Sequence, residues 1–181
     1  MKLVCLDTNV LIWGIKGLAT SGQEDMISRA KIFIDTLNDD KELTILIPSI
    51  VIAEYLLPIP HQEHANIINV FNSSFIIAPF DAFAASKFSI IWNTHKPSQE
   101  VEKLVKNGFT KTELRADSMI VATAVARKAE CIYSHDNGVK NFAKGFIDVR
   151  EIPFIPKQQD AFESDSNTTD WGKPPKKMNE S

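Results

Sequence analysis

The chain has 181 residues, 44% of them hydrophobic, which is long enough to bury one core and predicts a single domain. A net charge of -3 argues against the strongly basic surface of many nucleic-acid-binding proteins, without excluding such a partner. No segment approaches the roughly 18 consecutive apolar residues of a membrane span, so we expect no membrane contact. Cys5 and Cys131 both lie in apolar runs and predict buried, reduced thiols in a cytoplasmic protein.

Short apolar runs along the chain predict five strands. The first covers residues 3–6 and stops directly at Asp7. A continuous apolar run of this length is typical of a strand that is buried on both faces of a parallel sheet. The other predicted strands cover residues 43–47, 75–78, 131–134 and 147–149.

The segments between these strands predict helices. A short helix is expected at 10–15, and the pair Ser21 and Glu24 has the capping-box pattern that starts the next one. An almost wholly apolar helix at 50–57 follows Ser49. Further helices are predicted at 62–71, after the caps Asp81 and Ser98, at 113–129 starting from Thr112, and around Phe142.

This alternation of strands with helices predicts an α/β fold in which a single parallel β-sheet is flanked by α-helices on both faces. We expect that domain to cover residues 1–155. Residues 156–181 are polar and rich in proline, serine and asparagine, a composition that cannot bury enough apolar surface to order itself. They therefore predict a disordered C-terminal tail.

Four carboxylates occupy positions that suggest chemistry, although each has a plainer explanation. Asp7 lies at the carboxyl end of a strand, where open α/β sheets bind ligands, but it could simply cap a helix. Glu54 is the only charge in its apolar helix and needs a cation, whether a metal or a basic side chain. Asp117 could be an ordinary helix-dipole carboxylate, and Asp136 begins an Asp-Asn-Gly sequence that is also a turn signal.

The combination of the four positions favours a functional site over the four separate plainer explanations. Two of these acids follow strands, and two lie early in helices. Because strand carboxyl ends and the amino ends of the following helices share one edge of a parallel sheet, all four can converge. Converging carboxylates repel one another unless a cation is bound, and all-oxygen ligation suits Mg²⁺ or Mn²⁺. Such an arrangement is suited to the hydrolysis of phosphate esters.

The sequences around these acids resemble those of the PIN-domain nucleases, and most of all the VapC-like toxins. The resemblance covers roughly residues 1–150 and rests on four motifs: LDTNVLI at 6–12, AEYL at 53–56, RADSMIVATA at 115–124, and SHD at 134–136 followed by Phe142. It implies a Rossmann-like three-layer fold and an Mg²⁺- or Mn²⁺-dependent endoribonuclease, often paired with an antitoxin. By position, Asp7, Glu54, Asp117 and Asp136 would be the metal-binding and catalytic acids, and Asn9 and Ser134 supporting polar groups.

Two other functions compete with a metal-dependent ribonuclease. A phosphatase of the haloacid-dehalogenase type would need a second aspartate where this chain has Asn9, which counts strongly against it. A non-catalytic PIN-fold module that binds RNA or a partner protein would typically have lost an acid, and none of the four is missing. The sequence leaves open whether the chain forms a homodimer.

Weaker patterns include His61 and His64, which have no further ligand pair and predict solvated histidines rather than a zinc site. Residues 96–128 hold seven Lys or Arg against four acids. That small excess is most simply a solvated helix face. As a functional alternative it could track single-stranded or structured RNA, with Lys111 and Arg115 as candidates for contact with its backbone.

Overall fold

A computed structural model describes residues 2–154 of the chain. Its centre is a five-stranded sheet in which every neighbouring pair of strands is parallel, in the order β3-β2-β1-β4-β5. The strands are β1 (Lys2–Leu6), β2 (Leu43–Pro48), β3 (Ile76–Ala78), β4 (Cys131–Tyr133) and β5 (Asp148–Arg150). The predicted α/β fold class is therefore confirmed, whereas the tail predicted at 156–181 lies outside the described residues.

Eight α-helices connect or follow these strands within residues 2–154. None of them is long and apolar enough to cross a membrane. They are α1 (Thr8–Leu11), α2 (Asp25–Asp39), α3 (Ser49–Leu56), α4 (His61–Ser74), α5 (Ala82–His95), α6 (Gln99–Lys106), α7 (Lys111–Ala126) and α8 (Asn137–Ala143). A π-helical segment, Ile12–Lys16, continues α1 and ends at Gly17, whose φ of 66° lies in the left-handed region that favours glycine.

The sheet separates two apolar cores, which makes the fold three-layered. Successive side chains of a strand point to opposite faces, so Leu6 joins one core and Cys5 the other. The first core is completed by helix residues such as Phe33 and Phe71, and the second by residues such as Phe142. Cys5 and Cys131 are both buried free thiols, as the sequence predicts.

At three helix starts the observed cap differs from the predicted one. Helix α2 begins at Asp25 after Glu24, with no side-chain cap, so the capping box predicted from Ser21 and Glu24 is wrong. Helix α7 begins before Thr112, because Thr110 and Glu113 form a reciprocal capping box. In both places a polar-rich segment offers several cap candidates, and the pattern alone does not choose among them.

The third difference concerns Asp136, where the sequence predicts a plain turn over residues 135–138. Its carboxylate instead accepts hydrogen bonds from the amides of Gly138 and Val139, at 2.6 and 3.2 Å, and starts α8. An aspartate followed by a flexible glycine serves a turn and a helix start equally well. Here the apolar residues Val139 and Phe142, both fully buried, anchor the helix.

Candidate metal centre

All four predicted acids line one cavity of about 320 Å³ at the carboxyl edge of the sheet. Asp7 follows β1, and Asp136 follows the neighbouring strand β4. Glu54 comes from α3, and Asp117 comes from the first half of α7. The parallel topology therefore produces the convergence that the sequence predicts.

Asp7 is held in place by hydrogen bonds to both of its carboxylate oxygens. Its side chain is buried, with 4% of its surface exposed. One oxygen accepts from the Thr8 amide at 2.7 Å, and this contact also caps α1. The other accepts from the Ser134 hydroxyl at 2.6 Å. The Asp7 carboxylate is consequently fixed before any ligand arrives.

Ser134 links Asp7 to Asp136. While its hydroxyl donates to Asp7, the same oxygen accepts a hydrogen bond from the Asp136 amide at 3.0 Å. Ser134, one of the two predicted supporting residues, is fully buried between the two acids. Asn9, the other predicted supporting residue, lines the cavity.

Glu54 is oriented by a neighbour that the sequence analysis did not single out. The Thr8 hydroxyl donates a hydrogen bond to Glu54 Oε2, across 46 residues of sequence. A basic side chain was the alternative to a metal as the partner of Glu54, but within residues 2–154 none forms an ion pair with it. The carboxylate instead faces the other acids of the cavity.

Asp117 differs from the other acids because one of its oxygens is unsatisfied. Oδ2 is buried and has no hydrogen-bond partner among the described residues. This oxygen lies so close to Gly138 that a Cβ atom added there would collide with it. A buried polar atom without a partner costs free energy, so its presence beside three other acids indicates a place for a ligand.

Burial and, to a smaller extent, mutual repulsion make these carboxylates harder to ionise. Burial, followed by the charges of Asp136, Asp7 and Glu54, raises the pKa of Asp117 to about 8. Burial likewise raises the pKa of Asp7 to about 6, against the opposing hydrogen bonds from Ser134 and Thr8. The pKa of Glu54 is also raised, mainly by burial. A bound cation would relieve this repulsion.

These residues fit a hard divalent cation. The donors are all carboxylate oxygens, the set that suits Mg²⁺ and Mn²⁺, and Asp117 contributes an oxygen with no other use. No three of the His, Cys, Asp and Glu side chains described between residues 2 and 154 already surround a single point closely enough to hold an ion. Mg²⁺ commonly binds proteins through one or two carboxylates and keeps several of its waters.

Four further residues of this cavity were missed by sequence reasoning: Thr8, Ile12, Phe109 and Glu113. Glu113 was assigned only to the start of a helix, and its carboxylate does close the capping box by accepting from the Thr110 amide at 2.6 Å. Its spacing of four from Asp117 on the same helix was the available signal. Lys111 and Arg115 line a different cavity, on another side of α7.

Known proteins resemble this chain in sequence pattern and in fold. The family model described as PIN domain matches residues 4–145. No curated protein sequence matches the chain. A chain of VapBC2 from Rickettsia felis, solved bound to a DNA fragment from its promoter, is similar in fold, with 18% identity and a TM-score of 0.52 over 83% of this chain and 99% of that one. A chain of DNA-bound VapBC from Salmonella typhimurium is also similar in fold. Its sequence identity is 18% and the TM-score is 0.50, over 84% of this chain and 100% of that one.

Proposed function

Because the chain belongs to the PIN domain family, we propose that it is a metal-dependent endoribonuclease that hydrolyses RNA phosphodiester bonds. The observation that carries this proposal is the cavity lined by Asp7, Glu54, Asp117 and Asp136, with one buried carboxylate oxygen left unpartnered. Such a cluster is costly to the apoprotein and useful only when it binds a cation.

The residues of the site divide into ligands and orienting groups. The four acids would hold Mg²⁺ or Mn²⁺, and an ion bound there would supply Lewis acidity and a more acidic bound water. Ser134 and Thr8 orient the carboxylates of Asp7 and Glu54 through their hydroxyls. Orienting contacts of this kind keep ligand oxygens in position and so favour binding of the ion.

We further propose that the protein acts as the toxin of a toxin-antitoxin pair in the cytoplasm. Support for the pairing comes from the fold, which is similar to that of chains solved as VapBC complexes. The RNA substrate is proposed from the family and from the acidic cavity together.

The direct test is cleavage of labelled single-stranded RNA by the purified full chain with Mn²⁺, with Mg²⁺ and with EDTA. We expect metal-dependent cleavage that falls on the order of 100-fold or more in Asp7→Asn, which keeps the shape of the side chain and removes its charge. Asp25→Asn, an exposed aspartate of α2, is the matched control and should cleave normally. Cleavage by Asp7→Asn at the wild-type rate would overturn the assignment.

A non-catalytic PIN-fold module that binds RNA or a protein is the second candidate. The four retained acids and the unpartnered oxygen of Asp117 favour the nuclease over it. The same assay separates the two, because a binding module would retain RNA in a gel-shift experiment and show no turnover with either metal.

A further inference from the structure

A second cavity, of about 370 Å³, lies between α5, α6 and α7, outside the acidic site. Its apolar lining includes Trp92, Val105 and Leu114. Trp92 is held in a fixed orientation, because its ring stacks on Phe142 at 5.5 Å and on Phe88 at 5.9 Å between centroids. We call this cavity the α5–α7 groove.

Basic side chains line the α5–α7 groove beside these apolar residues. One acid, Glu102, lines the α5–α7 groove together with four basic side chains, and none of the four forms an ion pair with a carboxylate within residues 2–154. They are Lys96, Lys106, Lys111 and Arg115. The protein as a whole carries a net charge of -3, so this is a local concentration of positive charge on an acidic molecule.

Arg115 joins the aromatic and the charged parts of the groove. Its guanidinium carbon lies 5.8 Å from the centre of the Trp92 ring. Proteins hold unpaired RNA bases against aromatic rings and guanidinium planes, while basic side chains bind the neighbouring phosphates. A nucleobase is apolar on its faces and is attached to an anionic backbone, so it matches both parts of this groove. A neutral apolar peptide would leave the four cations without partners.

The α5–α7 groove and the acidic cavity flank the same end of α7. Phe109 and Glu113 line the acidic cavity, whereas Lys111 and Arg115, each two residues further on, line the groove. The two cavities are thus separated by about the width of one helix, on the order of 10 Å. A single RNA strand can reach both at once.

We propose that the α5–α7 groove binds an unpaired nucleobase of the RNA substrate, displaced along the strand from the phosphate that is cleaved. This inference rests on the proposed ribonuclease function and adds a specificity subsite to it. The basic side chains of the groove attract the RNA backbone, whereas the carboxylates of the acidic cavity repel it. The groove also favours single-stranded RNA, since a base paired in a helix cannot enter.

The test uses single-stranded RNAs of roughly 12 nucleotides, in which each base in turn is replaced by an abasic ribose. We expect one position outside the cleaved dinucleotide to lower kcat/KM on the order of tenfold in the wild type, mainly through KM. Arg115→Leu should lower kcat/KM for intact RNA and remove the sensitivity to that abasic position. Val105→Asp, at a half-exposed position of the groove, should have the same effect.

A matched pair on α6 tests the charge. Lys106→Ala should weaken RNA binding. It should also reduce the slope of log Kd against log salt concentration by about one, the amount expected for the loss of one phosphate contact. Lys103→Ala, on the same helix but outside the lining of the groove, should do neither.

The outcomes of these experiments distinguish failure of the nucleobase subsite from failure of the proposed ribonuclease function. If the wild type cuts RNA but every abasic substrate is cut alike, or if Arg115→Leu and Val105→Asp keep the wild-type sensitivity, the nucleobase subsite is wrong and a protein ligand becomes the better occupant. If the wild type cuts no RNA with Mn²⁺ or Mg²⁺, the proposed function fails. The groove is then judged by fluorescence anisotropy of labelled RNA in EDTA, where equal Kd values for wild type and Val105→Asp overturn it.

Discussion

The Ser134 hydroxyl donates to Asp7 Oδ2 across 2.6 Å and ties together the ends of β1 and β4, the two neighbouring strands that carry acids of the cavity. The same hydroxyl accepts from the Asp136 amide, so one buried side chain satisfies a carboxylate and a backbone donor at once. Its loss would leave both groups without a partner in a place that water reaches poorly.

Ser134→Ala should therefore lower metal affinity about 10- to 100-fold and cost about 1–3 kcal/mol of unfolding free energy. Calorimetric titration with Mn²⁺ and urea denaturation measure the two effects. Ser118→Ala is the matched control, because this buried hydroxyl has no hydrogen-bond partner among residues 2–154 and its removal should be neutral or stabilising. Equal behaviour of the two variants would contradict the role given to Ser134.

Gly138→Ala tests how closely α8 packs against Asp117. Alanine normally stabilises a helix interior relative to glycine by about 0.5–1 kcal/mol. Here the added Cβ would collide with the Asp117 carboxylate, so we expect a loss of about 1–3 kcal/mol and a weaker response to Mn²⁺. In an Asp117→Ala background that collision is absent and only the contact with Asp136 Oδ1, at 3.0 Å, remains, so the same substitution should cost much less. Additive effects in urea denaturation would show that the two residues are not in contact.

The stability of the metal-free protein should depend on pH through Asp117. Below about pH 4 this carboxyl is protonated in both the folded and the unfolded chain, and it costs nothing. Between about pH 4 and 8 the unfolded chain loses the proton while the folded protein, with its pKa raised to about 8, keeps it. Folding free energy is therefore lost as pH rises through this range and is constant above it.

Urea denaturation in EDTA at several pH values measures this loss. Asp117→Asn should remain more stable than the wild type at pH 8 and lose that advantage at pH 4. Parallel curves for the two proteins would show that Asp117 ionises normally in the folded state.

Metal binding should release protons for the same reason. At pH 7 the raised pKa leaves Asp117 largely protonated, and an ion that takes its carboxylate as a ligand must displace that proton. We expect roughly one proton per bound Mn²⁺ at pH 7 and fewer at pH 9. Calorimetric titrations in two buffers of different ionisation enthalpy count the protons. Proton release that is unchanged in Asp117→Asn would assign it to another group.

Sequence reasoning predicted most of the fold because apolar runs and amphipathic segments report burial directly. It placed the four acids at one sheet edge for a topological reason, namely that parallel strands end on the same side. The contact between Thr8 and Glu54 was not predictable in this way, since it depends on how α1 and α3 pack across 46 residues of sequence. The α5–α7 groove was not predicted from the sequence. Trp92 and Arg115 belong to different helices, and no local pattern indicates that these helices pack side by side.

Local chemistry was ambiguous where one residue can serve two purposes. Asp136 was predicted to lie in a turn and instead begins α8, although an Asp-Asn-Gly sequence supports both. Glu113 closes a capping box with Thr110 and also lines the acidic cavity. Its spacing of four from Asp117 was the one sequence signal for the second use, and the structure was needed to confirm that both residues line the same cavity.

The caps at Asp7 and Asp136 have a consequence for how this protein can diverge. Both acids cap helices through one carboxylate oxygen, and asparagine caps helices about as well as aspartate. A single Asp-to-Asn replacement at either position would thus remove charge that the proposed metal site needs while keeping the helix cap. Relatives that keep the fold without the proposed metal site lie one substitution away, so aspartate at both positions in most relatives would indicate selection for metal binding rather than for folding.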